Sequence, residues 1–246
     1  MTAVVCIYTP RGFVIAADGL RLKAIDGRVA DEFTQKVFEL PTTYGAIAYG
    51  CAGATLTPDG EKEFSFYAEV ARTASRLPEM PTFDSFIHAI LDGVYRAFTD
   101  FVTESQGSLD NLLRSQREGD RLFGVVIAGY FKEQPMRGVI EIIKQGRAFV
   151  PNVKDLAPAR SEFYMHSGSN EALEIVRCKP GFQRPFTLRE AMVQGRDYIQ
   201  FCKDRRGSDP ECACIGGHIH VAAITPTGFR WMIPPKKPTA QSQPLA

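Results

Sequence analysis

The sequence predicts a layered α+β domain, two β-sheets stacked face to face with helices on the outside. Two observations point there. Several strand segments are apolar on both faces, as strands covered on both sides must be. The helical stretches come in two pairs that interrupt the strands, an order that two helix-covered sheets accommodate.

The elements follow in order. Ala3 to Tyr8 and Phe13 to Ala17 read as buried strands joined by Thr9-Pro10-Arg11-Gly12, a tight antiparallel hairpin. Lys36 to Leu40 and Ala46 to Gly50 form a second hairpin, turning through Pro41 to Gly45. Helices are expected over Gly60 to Ser75 and Thr82 to Ser105, separated by Pro78 and Pro81, with a continuation near Leu109 to Arg117. In the second, Phe83, Phe86, Ile87, Ile90, Leu91, Val94 and Phe98 recur at helical spacing and mark one buried face.

Strands return at Leu122 to Phe131 and Gly138 to Lys144, with Pro135 and Gly138 read as turn residues between them, and again at Glu162 to His166. Helices follow over Ser169 to Cys178 and Thr187 to Asp204, the latter opened by a Thr187-Leu-Arg-Glu190 capping box. Arg205 to Glu211 is a polar loop. Gly217 to Thr225 and Phe229 to Ile233 close the domain as a hairpin. Residues 2–233 are expected to form one domain, and the Pro-, Lys-, Gln- and Ser-rich stretch from Pro234 to Ala246 a disordered tail.

Composition narrows the function classes. A formal net charge of +1 gives no bias toward nucleic acid or an acidic membrane. No apolar run approaches the ~20 residues that span a bilayer, and no secretory leader pattern opens the chain. The six cysteines are scattered, and Cys6 and Cys51 lie inside apolar runs as small buried hydrophobes would. A cytoplasmic location is therefore expected. There is no phosphate-cradling glycine loop, no G-x-S-x-G and no H-E-x-x-H.

Thr2 follows Met1 directly, and removal of Met1 leaves a residue that carries a hydroxyl nucleophile and an α-amine base together. Antiparallel pairing in the first hairpin returns Asp18 to the side of Thr2 and Ala3, and the second hairpin sets Lys36 near Tyr49 and Gly50. If the hairpins lie side by side, these groups converge.

The run T2-A-V-V-C-I-Y-T-P-R-G-F-V-I-A-A-D18-G, then Q35-K36-V-F-E-L, A48-Y-G50-C-A52-G and F163-Y-M-H-S167-G-S resembles the proteasome β-subunit family of N-terminal nucleophile hydrolases. The likeness extends from Thr2 to about Ile233. It implies the four-layer αββα sandwich of that family. It further implies Thr2 as nucleophile with its own α-amine as base, Lys36 as the cation that keeps the amine unprotonated, and Asp18 as the partner of Lys36. The Gly50 N–H would be the oxyanion donor and Ser167 the support of the amine.

One stretch departs from the family pattern. In E211-C-A-C-I-G216-G217, Glu211 or Cys212 stands at the usual Asp and Ile215 at the usual Ser. The resemblance implies polypeptide substrates, a homo-oligomeric ring and an unfolding ATPase partner; no cofactor is expected, and with Thr2 directly behind Met1 maturation would need methionine removal alone. A small-molecule amidohydrolase and an inactive scaffold of the same fold are the alternatives. A rival constellation, Cys212, Cys214, His218 and His220, has two histidines on one strand face that suit zinc, but its C-x-C spacing is not the usual one and packing is the preferred reading.

Overall fold

The computed structural model describes residues 2–22, 28–53, 55–56, 64–104, 113–114, 116–159, 164–179 and 182–236, excluding the side chains of 55, 56 and 167. Its first hairpin is β1 (Val4–Thr9) and β2 (Gly12–Asp18), every residue of which is buried. Two short strands, β3 (Arg21–Leu22) and β4 (Val29–Asp31), pair with each other. The second hairpin is β5 (Val37–Glu39) and β6 (Ile47–Ala52), followed by the two-residue pair β7 (Thr55–Leu56) and β8 (Phe64–Ser65).

Helix α1 (Phe66–Arg76) starts at a Ser65 N-cap, later than the sequence suggested, and residues 57–63 lie outside the described set. Helix α2 (Phe83–Glu104) buries the seven predicted apolar positions together with Val102. Of its expected continuation, only residues 113–114 and 116–117 fall within the description.

The next hairpin corrects the sequence reading. β9 (Arg121–Phe131) and β10 (Gln134–Gln145) turn through Lys132 and Glu133, not through Pro135 and Gly138, which lie inside β10. Both turn residues take left-handed angles, φ 48 and 67, the backbone twist that a two-residue hairpin demands. β11 (Ala148–Pro158) was not foreseen, because Pro151 and Pro158 argue against a strand. It is an edge strand, where a missing N–H is tolerated.

β12 (Tyr164–Ser167) precedes α3 (Asn170–Arg177), capped by Ser169. Helix α4 (Leu188–Asp204) has the full capping box of Thr187 and Glu190. The loop that follows contains a 3-10 turn over Pro210–Cys212, and β13 (Ile219–Thr225) with β14 (Gly228–Ile233) is the last hairpin among the described residues. Pro234 to Lys236 are described, and the remainder of the expected tail lies outside the described residues.

The strands form two five-stranded sheets, ordered β12-β1-β2-β13-β14 and β11-β10-β9-β6-β5. Alternation along β1 separates the layers. Ala3, Val5 and Ile7 face α3 and α4 in one apolar cluster, whereas Val4, Cys6 and Tyr8 join Val37, Ala48, Val126 and Ala128 between the sheets. A third cluster, rich in phenylalanine, joins the second sheet to α1 and α2, with Phe66 stacked on Phe123 at 4.2 Å. The result is the predicted four-layer αββα sandwich. No described helix is long and apolar enough to cross a membrane.

Candidate functional site

The first hairpin has a buried acid at its open end. Asp18 terminates β2 beside Ala3, whose N–H donates to Asp18 Oδ1 at 2.9 Å, while the Asp18 N–H donates to Ala3 O at 3.2 Å. The N–H groups of Leu20 and Gly216 donate to Asp18 Oδ2, each at 3.1 Å. Three backbone donors thus hold a carboxylate that is 0% exposed.

Lys36 enters from the second hairpin. It lies opposite Cys51, whose N–H donates to Lys36 O at 2.9 Å. Its Nζ sits 3.1 Å from both oxygens of Asp18 and donates to Thr2 Oγ1 at 3.0 Å. The two hairpins belong to different sheets, so the Thr2–Lys36–Asp18 cluster forms where the sheets meet. Burial pushes the Lys36 ammonium down from its ordinary value, and the Asp18 charge opposes that shift. Because the ammonium donates to Thr2 Oγ1, the hydroxyl's own proton is left to point at another acceptor.

Ser167 and Gly50 are placed by their strands. The Ser167 backbone pairs with Val4 on β1, two residues beyond Thr2, and its side chain lies outside the described residues. Gly50 is a rung of the second sheet, between Val37 and Val126. The Tyr130 N–H donates to Ala46 O, and strand alternation carries that orientation through Ala48 to Gly50. The Gly50 N–H therefore faces Val126 and is already engaged. Gly50 has a packing reason as well, since a Cβ there would lie 2.5 Å from Val4 Cγ1.

The departing stretch resolves into separate roles. Ile215 is fully buried among the apolar residues under α4 and brings no hydroxyl. Glu211 caps α3, its Oε2 accepting the Asn170 N–H at 2.9 Å. Cys212 is buried and donates through Sγ to Asp209 Oδ2 at 3.3 Å, and burial raises its thiol to about 12. The acid that takes the buried place is Asp209, which accepts from Ser169 Oγ at 2.7 Å. That hydrogen bond is the first cause of its lowered pKa. The family pattern points to Glu211 or Cys212 for this acid, although Asp209-Pro210 is itself a turn-and-cap signal in the sequence.

The rival metal constellation is dispersed. The His218 ring hydrogen-bonds Pro234 O at 2.9 Å, while His220 is buried and its Nε2 accepts the Lys36 N–H at 3.0 Å. Among the described residues no three His, Cys, Asp or Glu side chains gather as metal ligands would. His220 is the site residue that the sequence reading missed. Its signal was strand alternation, for Ala222 and Ile224 on the same face of β13 point between the sheets.

No family model matches the chain, and no curated protein matches it. Solved structures do. One, titled Anbu (ancestral beta-subunit) from Yersinia bercovieri, superposes with a TM-score of 0.55 at 12% identity, over 94% of this chain and 87% of that one. The Anbu (Gly-1) mutant from Hyphomicrobium sp. strain MC1 gives 0.57 at 15% identity, over 94% and 85%. A further Anbu structure from that strain gives 0.55 at 14%, over 96% and 88%. At such identities the likeness is one of fold, the αββα sandwich of proteasome-like subunits.

Proposed function

We propose that the chain is an N-terminal nucleophile hydrolase of the threonine type, cleaving peptide bonds within a ring-shaped homo-oligomer in the cytoplasm. The observation that carries this reading is the buried Lys36 ammonium, held by Asp18 and donating to Thr2 Oγ1 at 3.0 Å. A lysine buried against a carboxylate needs a reason, since burying the pair costs more than an apolar pair of the same volume. Activating a hydroxyl supplies one.

With Thr2 as first residue, its α-amine takes the Oγ proton as Oγ attacks the substrate carbonyl. The Lys36 charge disfavours protonation of the neighbouring amine and so keeps it basic near neutral pH, where reference α-amines titrate at ~8. The tetrahedral intermediate collapses to an ester on Thr2, the leaving amine carries off the proton, and water releases the acid by the reverse sequence. Asp18 holds the ammonium in place and charged. The role given to Gly50 would require its N–H to leave Val126, and Ser167 is the support for the amine that the family pattern implies. Polypeptide substrates and an unfolding ATPase partner belong to the same reading.

A second reading, an inactive scaffold of this fold, is favoured by Ile215 and by the engaged Gly50 N–H. A β-lactone probe separates the two. Intact and peptide mass should show Met1 removed and one adduct on Thr2, absent from Thr2→Ala. Retained Met1, or an adduct that persists in Thr2→Ala, would sink the nucleophile assignment.

A further inference from the structure

His220 touches the site in a way that the proposed reaction does not use. It sits on β13 of the first sheet, opposite Ala17, and reaches across the interface to the main chain of Lys36 in the second sheet. Lys36 leads into β5, the edge strand of that sheet, so the sheet itself grips it from one side only. The Trp231 ring packs edge-on against the imidazole, with centroids 6.0 Å apart, and holds its plane.

The protonation pattern is dictated by the partners. A backbone N–H can only donate, so Nε2 is the bare acceptor and the proton of the neutral ring is on Nδ1. Nδ1 is buried and makes no well-aligned hydrogen bond, its one polar neighbour being the His218 backbone. A poorly paired enclosed donor is a cost that an apolar residue at this position would avoid, and the neighbours on the same strand face, Ala222 and Ile224, are apolar. The histidine therefore has a purpose other than filling space, and the one well-aligned polar bond it makes is to Lys36.

We propose that His220 is a positioning residue, whose imidazole latches the Lys36 main chain across the two sheets and so fixes where the ammonium meets Thr2 and Asp18. The kinetic consequence rests on the reading of Thr2 as nucleophile; the structural consequence does not.

Three variants separate the roles. His220→Gln puts an amide oxygen within reach of the Nε2 position, His220→Asn puts one too short, and His220→Leu removes the acceptor. Two readouts are taken on each: hydrogen exchange of the Lys36 amide by NMR, and the rate at which the β-lactone acylates Thr2. Protection at Lys36 should drop about fivefold in His220→Leu and His220→Asn, as loss of one average hydrogen bond implies, and should recover in His220→Gln. The acylation rate should follow the same order. Nitrogen shifts of the wild-type ring should give a bare Nε2 and a protonated Nδ1, a readout that survives even if a variant fails to fold. Unchanged Lys36 protection in His220→Leu, or a proton on Nε2, overturns the latch. Intact Lys36 protection in a wild type that never acylates leaves the latch standing and removes the nucleophile reading instead.

Discussion

Asparagine at position 18 should destabilise the protein more than methionine at position 36, although the two side chains form one ion pair. Lys36→Met removes a donor but leaves Asp18 with the N–H groups of Ala3, Leu20 and Gly216, so the buried carboxylate keeps three partners. That loss should cost about 1–3 kcal/mol. Asp18→Asn instead removes the charge that pairs with Lys36, whose ammonium is almost fully buried, and turns one acceptor into a donor that faces backbone N–H groups. Removing one partner so that the other charge is left buried and uncompensated, as here, costs about 3–5 kcal/mol. At about 2–4 °C per kcal/mol for a chain of this size, Asp18→Asn should melt about 6–20 °C below wild type. The double variant should cost less than the sum of the two singles, because the uncompensated charge is gone. Circular-dichroism melts of all four proteins at pH 7 test this. An Asp18→Asn melting point within about 3 °C of wild type, or above that of Lys36→Met, would refute the account of Asp18 as the hub.

Gly50→Ala inserts a methyl 2.5 Å from Val4 Cγ1 and 3.3 Å from Ile15 Cγ2, and overpacking of this kind costs about 1–3 kcal/mol, readable as a lower urea midpoint with unchanged slope. An unchanged midpoint would mean that the sheets part more easily than their contacts suggest. Burial, with the nearby Lys36 charge second, lowers the His220 pKa to about 3 from an ordinary 6.5. The unfolded chain therefore takes up a proton that the native state refuses, and stability falls as pH drops from 6.5 toward 3. Wild type should lose about 2 kcal/mol between pH 6.5 and 5 that His220→Leu does not lose, and parallel urea titrations of the two proteins would expose the error if their pH dependences coincide. Ser169→Ala removes both the cap accepted from Ala172 and the bond donated to Asp209, and should cost about 2–3 kcal/mol by thermal melt. A loss below about 0.5 kcal/mol would mean that water replaces both.

What the chain reveals by itself follows the range of each interaction. The first two hairpins were legible because alternation and turn chemistry are local, and with them the return of Asp18 to Ala3. The meeting of Lys36 with Thr2 was legible only through family likeness, because it depends on how one sheet lies on another. Strand β11 escaped notice because its prolines look like breaks until an edge position excuses them. Asp209 and His220 were overlooked for the opposite reason. Their residue types suited other stories, a polar loop and a metal ligand, and only the packed structure assigns each a partner. At Gly50 the structure adds a packing reason, a neighbouring valine, that no local pattern in the sequence could carry.

The Asp18 carboxylate also sets the order in which the protein can be finished. Its donors come from Ala3, Leu20, Lys36 and Gly216, and the last contact closes a sequence separation of 198 residues. Contacts of that span form late, because the loop they close must first be ordered. The acid that steadies Lys36 lacks one of its anchors until Gly216 has been made and folded back onto it. The carboxylate is thus fully ligated only when distant parts of the chain have come together.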